Sequence, residues 1–276
     1  MQLIQKDLPT GRLSFTQVDT YLSCPKKYEW RYIIKPEMVG GSPTMAIGSA
    51  LHELLASVLL AKMKGQRINT KRLMNESNAK LRKELMKIQN DVGDEMFPLA
   101  AINMLCSQHD GLFEKWLQDL YPELQPTAVE SEVNVTIGGY PFIMYLDMIH
   151  MGKRIIDWKV TASPKNKYHI ANSLQLTIYS IGAQVDEVAF GSLVRPKAGS
   201  ESKWKPSVQL IVGQRTEADR RWAVEVVKAA AQGIRSGSFP VCSPENFLCD
   251  ERYCDFFPIC RGKDTAAKPK WMEAFI

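Results

Sequence analysis

The sequence predicts an α/β protein in which helices pack on one mixed β-sheet. Three observations carry that expectation. Up to residue 120 the apolar residues recur at helical spacing, and Pro122 and Pro126 close the stretch. From 129 to 160 the pattern alternates with period two, interrupted at Gly138-Gly139 and Gly152-Lys153, as in a three-stranded meander. A helix then separates the meander from two more strands and a long closing helix, and such a crossover belongs to a mixed sheet. The 276 residues are expected to form one elaborated domain rather than two: a helical region at 14–120, an α/β core at 127–236 and a cysteine-rich tail at 237–262.

The elements follow in order. Residues 15–34 read as a helix with Thr16 as N-cap and Asp19 three residues on, filled by Tyr21, Tyr28, Trp30 and Tyr32. A Gly/Pro-rich loop occupies 36–43. The helix at 46–64 sets Leu51, Leu54, Leu55, Val58 and Leu59 on a stripe and also carries His52 and Glu53. Helices at 70–90 and 98–120 come next. Strands at 129–137, 142–150 and 154–160 form the meander; in the second, Tyr145, Asp147 and Ile149 should share one face, with Leu146 and Met148 on the other. A helix at 172–183 precedes strands at 187–194 and 207–214, which flank a basic loop with Arg195, Lys197, Lys203 and Lys205. The last long helix spans 217–236.

Composition narrows the class. Hydrophobic residues at 45% and charged residues at 24% suit a folded globular chain. No run of about 18 apolar residues suggests a membrane span, and the first residues lack the apolar core of a secretory signal. The expected location is therefore intracellular, in the cytoplasm of a bacterium or a phage-infected cell. Between Lys62 and Lys87, nine basic residues face only Glu76 and Glu84. Such a run is either a solvated helix surface or an attractor for a phosphate backbone.

Asp147 lies in MYLDMIH, while Asp157 and Lys159 lie in RIIDWKVT, two apart and so on one strand face. If the two strands form a hairpin, both carboxylates reach one cation. Two carboxylates and an ammonium are costly to crowd together unless a metal and a phosphate complete the site. Phosphodiester hydrolysis needs such equipment: carboxylates for Mg²⁺ or Mn²⁺ and a lysine for the developing charge. Taken alone, an Asp-x-Lys tripeptide is a weak signal, since many surface hairpins contain one by chance.

The surrounding residues add order. Ser14 and Cys24-Pro25 open the chain, GSALHE at 48–53 brings His52, and Glu130 in VESEV precedes Asp147. Asp157-Trp158-Lys159 follows, and QLTIY sets Gln175 and Tyr179 four apart on one helix face. This series resembles the RecB-like branch of the PD-(D/E)xK nuclease superfamily, which includes the AddB and CRISPR-associated exonucleases. The resemblance implies a restriction-endonuclease-like core. It also implies Asp147, Asp157 and the main-chain carbonyl of Val160 as metal ligands, with His52 as a further one. Lys159 would orient the attacking water or stabilise the transition state, and Gln175 and Tyr179 would contact DNA or brace the site. Glu130 would approach through water or face solvent with Glu132. His109, His150 and His169 are expected to be structural or surface residues. The chain departs from the family at Met144, where a glycine is usual and where the larger side chain would narrow the cleft, and at Val160, which separates Lys159 from Thr161.

Four of the six cysteines fall in the last 35 residues, and Cys249, Cys254 and Cys260 are spaced x₄ and x₅. Without a secretion signal, that clustering favours a metal site over disulfides, and three thiolates need a fourth ligand. The resemblance to the iron–sulfur nucleases implies a [4Fe–4S] cluster held by Cys24 together with Cys249, Cys254 and Cys260. Cys242 is an alternative to Cys24 or Cys249, and a zinc site of Cys242, Cys249, Cys254 and Cys260 is the rival arrangement. Cys106 reads as a core residue. The expected function is a Mg²⁺- or Mn²⁺-dependent exonuclease acting on DNA ends in recombination or repair of a phage or mobile element, with a recombination protein as a possible partner. The alternatives are a CRISPR-adaptation trimming nuclease and a catalytically silent DNA-binding relative.

Overall fold

The computed structural model describes residues 7–36, 42–196, 203–251 and 253–261. Lys197, part of the 36–43 loop and the end of the tail lie outside the described residues. One sheet organises the chain. It runs β1 (Leu13–Ser14), β3 (Tyr140–His150), β4 (Arg154–Thr161), β5 (Glu187–Val194) and β6 (Ser207–Gln214), with β2 (Pro126–Ile137) also paired to β3. The β2–β3 hairpin turns at Gly138 and Gly139, whose φ values of 60° and 87° are those that glycine adopts without strain. β1 pairs β3 and β4 pairs β5 in parallel, while β2–β3, β3–β4 and β5–β6 are antiparallel, so the sheet is mixed as expected.

Helices cover both faces. On one side α3 (Pro43–Met63), α4 (Thr70–Val92) and α5 (Leu99–Asp119) bury Leu51, Leu55, Leu85, Phe113 and Trp116 against Met148, Ile156 and Trp158. On the other, α1 (Phe15–Ser23), α7 (Leu174–Ala183) and α8 (Glu217–Ser236) enclose Val18, Ile178 and Val227 with Leu146, Ile155 and Phe190. α3 is long and apolar enough by composition to cross a membrane, yet nine of its residues, from Pro43 to Ala61, are buried. The basic run falls on the end of α3 and on α4, where Lys71, Arg72, Lys80, Lys83 and Lys87 are exposed.

Several local expectations need correction. The first predicted helix is three pieces. α1 ends at Ser23 because Cys24 is extended (φ −161°), Pro25 starts the short α2 (Pro25–Tyr28), and a π-turn spans Glu29–Ile34. Ser14, not Thr16, is the N-cap, accepting from the Gln17 amide at 3.3 Å. Residues 167–171 form a helix of their own, α6 (Lys167–Ala171), before Ser173 caps α7. β1, only two residues long, carried no strand pattern in the sequence.

The largest departure is in the hairpin. Met144 and Leu146 lie in the core under α7 and α8, whereas Met148 lies in the core under α3–α5. On β2, Val129 and Val133 divide in the same way. The alternation expected through Asp147 therefore breaks, and both strands exchange faces between Val129↔Met148 and Ser131↔Leu146. Glu130 sits at that exchange with φ 47°, a left-handed conformation uncommon for a residue with a side chain.

Candidate active site

The β3–β4 ladder stops at Met148↔Ile156, and β1 takes up β3 again only at Ile143. Between those points the strands diverge. The residues just beyond the last pair are Asp147 and Asp157, so the two acids stand at the apex of the opening. Within a strand, the N–H and C=O of one residue point to the same side. Where β3 departs, both polar groups of Trp158 lose their strand partner and turn into the site. The Trp158 amide donates to Asp147 Oδ2 at 2.7 Å, and its carbonyl accepts from the His52 imidazole. By the same alternation the Val160 carbonyl faces the open edge.

The Trp158 side chain points away, 2% exposed, edge-on to Trp116 with centroids 5.8 Å apart. Gly191 on β5 makes room for it: a Cβ there would lie 2.1 Å from the indole ring. That packing fixes β4 and the side chains on its other face. Asp157 is buried, with Oδ1 accepting from Gln175 Nε2 at 3.0 Å. Its Oδ2 lies 2.8 Å from Lys159 Nζ, but off the direction of a hydrogen bond, so this buried oxygen has no hydrogen-bond partner. Gln175 also accepts from Lys159 Nζ at 3.0 Å and donates to Tyr179 Oη at 2.9 Å, joining four predicted residues in one network. Buried Arg215 holds the start of α7 by donating to the carbonyls of Ile170 and Ser173 and to Thr177 Oγ1.

The electrostatics are those of a site short of positive charge. Burial, then repulsion from Asp157, holds the Asp147 carboxyl well above the usual carboxylate range. Burial pushes the Tyr179 hydroxyl up, so it stays protonated. His52 lies 3.5 Å from Asp147 Oδ2, and burial lowers its pKa against the pull of Asp157, leaving a neutral imidazole. Glu130, opposite Asp147 across the hairpin, is exposed, and partial desolvation raises its pKa.

These groups supply oxygen and nitrogen donors, and the orphaned Asp157 Oδ2 and the two crowded carboxylates suit a divalent cation. Among the described residues, however, no three His, Cys, Asp or Glu side chains already converge as a metal cage. Asp147 is turned onto the Trp158 amide and Lys159 stands beside Asp157.

Of the predicted residues, His52, Asp147, Asp157, Lys159, Gln175 and Tyr179 meet at this site; Glu130 is exposed at its edge, within electrostatic reach of Asp147, and the cysteines lie apart. Met144 does not narrow it: buried at 2% exposure, it packs against Gly182, where a Cβ would lie 2.4 Å from its Sδ. Asp19, read only as a capping partner, instead lies within electrostatic reach of Lys159; burial raises its pKa and Lys159 opposes the rise. Nothing in its sequence context marks it. His109 is buried between Ser77 and Asp110, His150 accepts from the Gln125 amide, and His169 belongs to the α6 capping box, all structural roles.

The cysteines gather elsewhere. Cys24, Cys242, Cys249, Cys254 and Cys260 all line one cavity of about 250 Å³, beside Lys26, Lys27, Arg31 and Arg261. The Cys242 thiol hydrogen-bonds with Cys24 and Cys249, and burial together with these thiols pushes it up to about 12. Cys106 is buried in the helical core as expected.

Comparison with known proteins agrees with the geometry. A family model for the PD-(D/E)XK nuclease superfamily matches residues 12–261. The crystal structure of a "Putative exonuclease" from Eubacterium rectale superposes with a TM-score of 0.57 at 15% identity, covering 94% of this chain and 91% of that one, a likeness of fold. A second structure, SSO0001, reaches a TM-score of 0.34 at 19% identity, covering 66% of this chain and 82% of that one, too low to support an argument. No curated protein sequence matches. With the family model spanning most of its length, the chain belongs to the PD-(D/E)XK nuclease superfamily.

Proposed function

We propose that this nuclease is a Mg²⁺- or Mn²⁺-dependent exonuclease that hydrolyses phosphodiester bonds at DNA ends. The observation that carries the reading is the set of Asp147, Asp157 and Lys159 at the apex of the parted strands, with the Asp157 Oδ2 atom lacking a hydrogen-bond partner. Asp147, Asp157, His52 and the Val160 carbonyl would hold the cation. When bound, such a cation lowers the pKa of water and offsets charge on the phosphate. The chain's own groups do the rest. Lys159, oriented by Gln175 Oε1, is placed to orient water or meet charge on the phosphate oxygens. Gln175 in turn is fixed by Asp157 and Tyr179. None of these groups reads a base edge, so action on the backbone regardless of sequence is expected.

For the thiol cavity we favour a [4Fe–4S] cluster over zinc. The choice rests on the sequence resemblance, and the gathering of Cys24 with the tail thiols around one cavity supports it. Cys24, Cys249, Cys254 and Cys260 remain our ligand set, with Cys242 as a fifth thiol beside them. A role in recombination or repair of a phage or mobile element rests on the sequence resemblance alone.

The test is cleavage of linear single- and double-stranded DNA labelled at either end, with closed circles and Asp157→Ala as controls. Loss of linear DNA with circles spared, dependent on divalent metal and abolished by the variant, supports the reading. Nicking of circles would replace it with an endonuclease, and no cleavage by metal-loaded protein would sink it.

A further inference from the structure

We propose that residues 165–169 form a docking platform for a single DNA strand, with Tyr168 stacking on an unpaired base and Lys165 and Lys167 holding the neighbouring phosphates. The proposal rests on the nuclease reading and deepens it by naming the form of substrate.

Three features of the segment point to a ligand. First, its place: it joins β4, which carries Asp157 and Lys159, to α7, which carries Gln175 and Tyr179. Lys159 and Lys165 both approach the Phe190 ring, with ammonium groups 5.9 Å and 6.0 Å from its centroid. Lys165 therefore shares an aromatic ring with the lysine proposed for catalysis.

Second, its charge. Between Asp157 and Asp186 the chain has Lys159, Lys165 and Lys167 and no Asp or Glu at all. Neither Lys165 nor Lys167 has an ion-pair partner among the described residues, a state they share with exposed Lys71, Lys80 and Lys83 on α4. Uncompensated lysines in a row attract a phosphate backbone.

Third, its aromatic. Tyr168 is 73% exposed, the most exposed large hydrophobic side chain among the described residues. It stands on a rigid base. Asn166 and His169 close a capping box, Ile170 is buried against Gly213, and Arg215 holds the Ile170 carbonyl. A side chain held out from so fixed a backbone loses little freedom on stacking. Aromatic platforms flanked by cations are how proteins hold single strands irrespective of sequence, and bases within a duplex do not present that face.

The test uses the full chain with Ca²⁺ in place of Mg²⁺, so that binding is read without cleavage. The probe is a fluorescent oligothymidylate of about 15 nucleotides, alongside the same strand made duplex and the same strand with abasic positions. Tyr168→Ala should weaken binding of the single strand about tenfold, and Tyr168→Phe should retain it. The Tyr168→Ala loss should shrink on the abasic strand and be absent on the duplex. Lys165→Ala and Lys167→Ala should each reduce the slope of log K against log salt by about 0.7. Single-strand affinity unchanged in Tyr168→Ala, or equal losses on the single strand, duplex and abasic strand, would overturn the platform. Absence of cleavage by the wild type with these binding results intact would instead count against the nuclease reading alone.

Discussion

Replacing Asp147 by Asn should stabilise the metal-free protein while removing its activity. Asn keeps a carbonyl oxygen for the Trp158 amide that now donates to Asp147 at 2.7 Å, so the local hydrogen bond survives. What disappears is a buried charge whose ionisation is opposed first by burial and then by Asp157. A carboxyl whose pKa is raised on folding contributes its stability below the unfolded value, about pH 4, and loses it as the pH rises through the folded value. The variant should thus match the wild type in acid and exceed it at neutral pH. Relief of unfavourable surroundings at functional sites is typically worth about 1 kcal/mol, or roughly 2–4 °C in Tm for a chain of this size. Adding Mg²⁺ at ten times its Kd should return about 1.4 kcal/mol to the wild type and much less to the variant. Thermal unfolding in EDTA and in Mg²⁺, from acid to mildly alkaline pH, reads all of this. A variant less stable than the wild type in EDTA at alkaline pH, or a difference that does not change with pH, would refute the reasoning.

Three further outcomes are expected. Gln175→Ala should lower kcat about 10–100-fold, because it frees Lys159 and Asp157 from their common partner; full activity would show that the network in the structure is not needed in turnover. Gly191→Ala should cost about 1–3 kcal/mol in urea unfolding, since the added Cβ overlaps the Trp158 ring, and a neutral result would mean that β4 shifts freely. Protein purified without oxygen should carry iron and sulfide, about four of each per chain, and lose most of both in Cys24→Ser. Zinc in their place would decide for the mononuclear site.

Much of the site was legible because its chemistry is local. Asp157 and Lys159 share a face by strand period, and Gln175 and Tyr179 share one by helical period. The Gly152-Lys153 turn announced the β3–β4 hairpin that brings Asp147 toward Asp157. Asp19 was not legible, because its distance to Lys159 depends on how α1 lies across the sheet. Cys242 was legible only as an alternative ligand; that it joins the other four as a fifth thiol was not, because it meets Cys24 only where the chain end folds back onto the end of the first helix.

The sequence by itself determined most of the element types, the mixed sheet and which acids and lysine could meet, since periodicity and turn chemistry act over a few residues. Only the tertiary structure decided how those groups are presented. The face exchange at Glu130 and Asp147 and the parting of β3 from β4 come from strand twist and from competition between two helical layers for the same hairpin. That competition frees the Trp158 peptide and leaves two carboxylates at an opening in the sheet, a result of long-range packing that no local pattern encodes.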